Sequence, residues 1–299
     1  MTSRATQAEL LEQRIAENRA SQEVDLVRWI FERIPVQESD QVLELCCGTG
    51  GQTLRMLSAL GERGRLYALD VARDALNTLV SRAAADESKL IAVHASLDDL
   101  SGTLRDCGLE RPTFDLIFCA YGLYYSSDAK KTLDEAFSWQ KKGGRMVIVG
   151  PFGPNNGQLF ELVRASGAPI PDPVVSSSER FMTEVVVPWA AVKFRSIRIC
   201  TMVNPVRWST PERILNYWQN TTFYSADHRH EFERRLAQHF AQHGEFVNEK
   251  WVMMAEMTDA RSSLRSGRRG APGRRDPRLW RHDDAPGSRR LRSAYRHPR

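Results

Sequence analysis

Val42-Leu43-Glu44-Leu45-Cys46-Cys47-Gly48-Thr49-Gly50-Gly51-Gln52-Thr53 decides the fold of this 299-residue chain. An apolar, strand-like run ends in an acidic residue, and a glycine-rich turn then opens into helical spacing at Leu54, Leu57 and Leu60. A buried strand that delivers its C-terminal end to a turn of little side-chain bulk lets a ligand lie against the backbone and the N-terminus of the next helix. The chemistry is therefore expected at this turn.

Working outward, the pattern repeats. Strand-like runs at Val42–Cys46, Arg65–Asp70, Leu90–His94, Phe114–Ala120 and Arg145–Gly150 alternate with helical patterns near 53–60, 73–85, 98–106 and 129–140. The last of these helices is followed by a turn at Lys141-Lys142-Gly143-Gly144. Alternating short apolar strands and helices predict an α/β, doubly wound, Rossmann-like, mostly parallel sheet with helices on both faces and ligands at the strands' C-terminal ends. Two helices precede the first strand, one over 6–20 and one that starts after Ser21 as N-cap and runs until Pro35 stops it. Beyond Gly150 come a loop, a helix near 158–166, a Pro-rich turn, and a short helix near 178–184 that Pro188 bars from running on. Strands near 194–202 and 246–257 bring the sheet to seven, with helices beginning at Pro211 and His228 between them.

Composition bounds the function classes. The net charge of +5 is unevenly placed: 13 Arg, no Lys and 4 Asp from Asp259 to Arg299 give that tail +9, which leaves residues 1–258 at −4. The tail has no Ile, Val, Phe or Met, so it reads as an Arg-rich, disordered and dispensable segment over 259–299. No apolar run approaches the ~20 residues of a membrane span, and the polar N-terminus has no apolar signal core, so a cytoplasmic protein without a membrane partner is expected. The five cysteines contain no C-x-x-C pair and read as free thiols. His239-x-x-x-His243 has metal-compatible spacing but no third ligand, so no metal is expected.

Two nucleotide fingerprints fail at the glycine turn. Thr53 stands where a dinucleotide motif places its third glycine, and no Lys-Ser/Thr follows as a phosphate-binding loop requires. Glu44-x-Cys46-x-Gly48-x-Gly50 instead resembles the first motif of class I S-adenosylmethionine-dependent methyltransferases of the small-molecule type, with Cys46 where the family's first glycine usually lies. The resemblance covers roughly residues 22–257. Asp70, with Val71 beside it, matches the acidic residue that pairs with the ribose hydroxyls, and lies one helix and one strand beyond Gly50. Ser96 and Leu97 stand where the family meets adenine, Ser96 replacing a common acidic residue. Cys119, Ala120 and Tyr121 end the strand that lies beside the donor's methionine part, and Lys142-Gly143-Gly144 looks like the family's entry to its fifth strand.

The resemblance implies S-adenosylmethionine as cofactor and an in-line displacement in which alignment dominates. It divides the chain into N-terminal helices at 1–40 and a methyltransferase domain at 41–258, whose insertion near 151–193 joins those helices as a lid over a small-molecule acceptor. Tyr121, Tyr124, Tyr125 and His228 are the candidate catalytic residues, because phenols and an imidazole at the rim could orient the acceptor or take its proton. Trp218 and Tyr224 are candidate substrate contacts. Asp115 reads as a structural hydrogen-bonding partner. The absence of an Asn-Pro-Pro-Tyr type of loop at 119–122 favours O- or C-methylation. A nucleic-acid methyltransferase, supported only by the tail, and a non-catalytic nucleotide-binding module are the rival readings. The oligomeric state is left open.

Overall fold

The computed structural model describes residues 8–261 and 280–282. Two helices, α1 (Ala8–Ser21) and α2 (Leu26–Phe31), precede strand β1 (Gln41–Leu45). Then β1 alternates with α3 (Thr53–Leu57), β2 (Arg65–Asp70), α4 (Arg73–Arg82), β3 (Leu90–His94), α5 (Leu100–Asp106), β4 (Phe114–Ala120), α6 (Ala129–Ser138) and β5 (Gln140–Pro151). The strands lie in the order β3-β2-β1-β4-β5-β7-β6-β8, where β6 is Phe194–Trp208, β7 is Phe246–Ala260 and β8 is Trp280–His282. β1 to β5 are parallel, as the βαβ rhythm requires, whereas β7 runs antiparallel to both β5 and β6. The sheet is therefore mixed, and β8 pairs with β6 across Ile197 to Ile199.

Residue alternation decides what each face buries. Leu43, Leu45, Ile117, Cys119, Met146 and Ile148 pack on one side of the sheet. Val42, Leu66, Leu116, Phe118, Val147 and Val149 pack on the other, against α2, α3 and α4. Strands buried on both faces in this way read as near-continuous apolar runs. A third cluster, around Trp208, Trp218, Phe232 and Phe246, joins α7 (Gly157–Ala165), α10 (Pro211–Gln219) and α11 (Arg229–His243) to the far ends of β6 and β7.

Four local expectations change. Ser21 ends α1, its hydroxyl donating to Glu17, and the N-cap of α2 is Asp25, whose carboxylate accepts from the Arg28 amide. Lys141 to Gly144 is an irregularity inside β5 and not a separate turn; Gly143, at φ 80°, allows the kink. Pro188 opens a helix, α9 (Val187–Lys193), because a first-turn proline lacks only an N–H the helix cannot use; Pro173 does the same in α8 (Asp172–Glu179). β6 continues past 202 to Trp208, because Pro205 lies near the sheet edge, where its missing N–H is tolerated. Of the Arg-rich tail, Asp259 and Ala260 complete β7 and Trp280–His282 form β8; most of the remainder lies outside the described residues. Among the described residues no helix is long and apolar enough to cross a membrane.

Candidate functional site at the first strand's carboxyl end

At the end of β1 the backbone turns left-handed at every second residue: φ is 58° at Cys46, 54° at Gly48 and 91° at Gly50. This alternation explains why glycine suits these positions, since a side chain at positive φ crowds its own carbonyl. Cys46 carries that strain, worth roughly 1–2 kcal/mol, and its side chain fills space left by another glycine. A Cβ on Gly122 would lie 2.1 Å from the Cys46 Cβ. At Gly50 a Cβ would meet Leu79 at 2.4 Å, so α4 packs directly on the turn.

Two carboxylates organise the turn in different ways. Glu44, only 2% exposed, points away from the opening and accepts a 2.6 Å hydrogen bond from Thr53 Oγ1 at the start of α3. Burial, only partly offset by that bond, raises its pKa from the ordinary 4.5 to about 8. It is a buried clamp between β1 and α3. Asp70, ending β2, accepts from the Gly48 amide through Oδ2 and from the Ala72 amide through Oδ1, both at 2.8 Å. Each oxygen keeps capacity for a further donor.

The turn opens into a cavity of about 1140 Å³, slightly above the usual range for a single small ligand of ~300–1,000 Å³. Its first half is walled by Cys46, Gly48, Asp70, Val71, Ser96 and Leu97, continuing to Ala120 and Tyr121. Glu44, Gly50 and Cys119 do not line it; they lie behind the wall as supports, which corrects their reading as direct ligands. Ser96 Oγ accepts from the Asp98 amide, and Asp98, two residues further on, brings a carboxylate to the cavity wall. Asp98 is held by the Ser127 amide and the Ser126 hydroxyl, and those bonds keep its carboxyl below the ordinary value.

The second half of the cavity comes from segments far apart in sequence. Arg14 and Asn18 of α1, Asn156, Phe160 of α7, Tyr217 of α10 and Lys250 of β7 face it. Tyr121, Tyr124 and Tyr125 also line it, and burial pushes all three phenols up. The other three rim candidates are placed elsewhere. Trp218 is fully buried and stacked on Phe232 with ring centroids 4.1 Å apart, and Tyr224 packs edge-on against it. Their neighbour Tyr217 is the member of α10 that reaches the cavity. His228 caps its own turn through Ser225 Oγ at 2.8 Å and lies against Gly167, outside the cavity. His239 bonds the Glu245 carbonyl and packs on His243, and the described residues contain no cluster of three or more metal-ligating side chains.

Sequence reasoning missed Arg14, Asn18, Tyr217 and Lys250. A signal existed for two of them: Arg14 and Asn18 fall at helical spacing with Ile15 on the apolar stripe of α1, an unusual place for polar groups.

Comparison with known proteins agrees with this geometry. Residues 37–179 match a family model described as a methyltransferase domain. The chain is 30% identical over 124 residues to the demethylmenaquinone methyltransferase of Lactococcus lactis subsp. lactis, covering 40% of this chain and 47% of that protein. It is 31% identical over 119 residues to the enzyme of the same name from Alkalihalophilus pseudofirmus, covering 40% and 48%. The chain thus spans about half the length of the curated relatives it matches. A putative methyltransferase from Bacillus halodurans shares the fold at TM-score 0.55 and 10% identity, over 78% of this chain and 98% of that one. Left-handed glycine turn, paired carboxylate and matched domain converge on residues 37–179, which match the methyltransferase-domain model over a little under half of the chain.

Proposed function

We propose that this chain transfers the methyl group of S-adenosylmethionine to a small organic acceptor enclosed in the cavity, at oxygen or carbon. The observation that carries the reading is the joining of two differently built halves in one cavity: a backbone-lined half around Asp70 and an aromatic, cationic half around Tyr217. The residues fit the donor. Asp70 keeps free lone pairs for two ribose hydroxyls, Leu97 and Asp98 offer an apolar face and a carboxylate to adenine, and the strained turn at 46–50 presents backbone to the amino-acid part. Bound there, S-adenosylmethionine supplies an electrophilic methyl; the chain aligns the acceptor with it and excludes water. α1 and the 151–193 insertion act as a lid, since Arg14, Asn18, Asn156 and Phe160 wall the cavity from those two segments. The names of the sequence relatives favour a small aromatic or quinoid acceptor over a macromolecule.

Calorimetry with S-adenosylmethionine and with NAD is the test, with binding expected to the first alone. Asp70→Ala should weaken it about 5- to 150-fold, equivalent to ~1–3 kcal/mol for lost charge-assisted hydrogen bonds and a loosened Gly48 amide. Equal affinity for both ligands, or an unchanged D70A variant, would overturn the assignment.

A further inference from the structure

Four tyrosines line the cavity, and one differs from the rest. Tyr217 is 6% exposed, and its hydroxyl lies 2.8 Å from Lys250 Nζ on β7. The ammonium also sits 4.7 Å from the Tyr217 ring centroid and donates to Asn156 Oδ1, so it is held from two sides. Arg14 lines the same cavity, hydrogen-bonds Tyr125, and keeps a buried Nε that has no hydrogen-bond partner. The acidic residues of the same wall are engaged elsewhere: Glu12 with Arg82, Asp25 at the α2 cap, Asp70 with the glycine turn and Asp98 with Ser126 and Ser127. Among the described residues no carboxylate is within ion-pair distance of Arg14 or Lys250. Two half-buried cations and a buried phenol thus line one cavity without a direct ion pair to a carboxylate among the described residues, an arrangement that favours a bound anion.

We propose that Tyr217, held by Lys250, is the proton acceptor of the reaction, and that the acceptor substrate is a phenol or enol whose oxygen docks between Tyr217 Oη, Lys250 and Arg14. This rests on the methyl-transfer reading above. The substrate's O–H bond breaks and its proton passes to the Tyr217 phenolate. The electron pair left on oxygen, or delocalised to the adjacent ring or enol carbon, forms the bond to the methyl carbon. The methyl–sulfur bond breaks with its pair remaining on sulfur, so the sulfonium charge and the substrate's negative charge cancel. Tyr217 then returns its proton to solvent.

The groups facing Tyr217 support this direction. Burial is the largest influence and opposes ionisation, but the charge and hydrogen bond of Lys250, the charge of Arg14 and the Asn18 side chain together hold the phenol below the ordinary tyrosine value. Tyr121, the remaining titratable neighbour, is itself pushed up by burial and by Tyr217. A base whose acidity lies nearer the working pH is the more effective one. Aromatic walls from Tyr124, Tyr125, Phe160 and Phe223 suit a planar ring.

The test uses 4-nitrophenol, whose phenolate is coloured, added to the full chain saturated with S-adenosylhomocysteine. The expected result is a bound nitrophenolate band at a pH where the free probe is mainly neutral. The band should be lost in Tyr217→Phe and Lys250→Met, restored in Lys250→Arg, and weakened at least tenfold in Arg14→Gln, while calorimetry shows S-adenosylhomocysteine affinity within twofold of the native protein. Tyrosinate difference titration should show one tyrosine ionising ahead of the others in the native protein and none early in Y217F. A band that survives in Y217F, or no probe binding in a protein that binds S-adenosylhomocysteine, overturns the inference and leaves the methyl-transfer reading standing. Failure of the native chain to bind S-adenosylhomocysteine overturns the methyl-transfer reading itself.

Discussion

Replacing Glu44 by glutamine should change how stability depends on pH. The carboxyl is buried at 2% exposure, and burial pushes its pKa up to about 8 from the ordinary 4.5. Between those values the folded protein retains a proton that the unfolded chain has released. Stability contributed by this group is therefore complete below about pH 4.5 and falls as pH rises through about 8, where the folded state must hold a buried charge. At ~1.4 kcal/mol per pH unit the loss amounts to about 5 kcal/mol at most, a large share of the ~5–15 kcal/mol that holds a typical domain. The amide side chain of E44Q would keep the shape and an oxygen to accept from Thr53 Oγ1, now bonded at 2.6 Å, but it cannot ionise. Urea unfolding followed by circular dichroism at steps from about pH 5 to about pH 9 should give a native curve that drops by several kcal/mol more than that of E44Q. Thr53→Val removes the donor that favours the ionised form and should move the native fall to higher pH. Parallel curves for native and E44Q would refute the argument, because they would mean that Glu44 ionises as freely in the folded protein as in the unfolded chain.

Other expectations follow from contacts around the turn. Gly122→Ala should cost roughly 1–3 kcal/mol by overpacking against Cys46, and the double variant with Cys46→Gly should recover most of it; thermal melts of the two single variants and the double variant measure the coupling, and additive losses would contradict the contact. Asp115→Ala should cost about 1 kcal/mol or less in denaturation, since it removes a partly exposed link from Asp115 to the Gln41 amide and Lys141. Calorimetry should find its donor affinity unchanged, whereas a large loss of affinity would give Asp115 a role in the site that its position at the far end of β4 does not provide.

The parts of the fold that were legible in sequence are those governed by local rules. The period-two and period-3.6 patterns placed β1 to β5 within a residue or two, except that β5 begins at Gln140 and ends at Pro151, because they report which face each short element buries. The direction of β7 between β5 and β6 has no such local signature, since the strand is apolar on both faces whichever neighbour it joins. Pro188 was misread because a proline both ends one helix and opens another, and the choice depends on whether the preceding turns pack, here through the buried Met182 and Val186. The extension of β6 through Pro205 has a related cause: edge position, which no sequence window shows, decides whether a strand tolerates a proline.

The candidate site divides along the same line, and the division bears on function. Its backbone-lined half is carried by one strand-turn-helix and the ends of three neighbouring strands, so spacing alone brings Cys46, Gly48, Asp70, Ser96, Leu97 and Tyr121 to a common wall. Its second half is assembled from α1, α10 and the far end of β7, separated by up to 236 positions between Arg14 and Lys250. No periodicity links those residues; the third core cluster, in which Trp208, Trp218 and Phe232 pack, fixes α10 against β6 and α11, and Glu17 ties α1 to it through Trp208 Nε1 and Arg213. Trp218, whose aromatic character suggested a substrate contact, serves by anchoring the helix that turns Tyr217 toward the cavity. A half set by contiguous sequence and a half set by tertiary packing can change independently. Substitutions at Tyr217, Lys250 or Arg14 should therefore alter what is methylated while leaving the Asp70 turn able to hold its ligand.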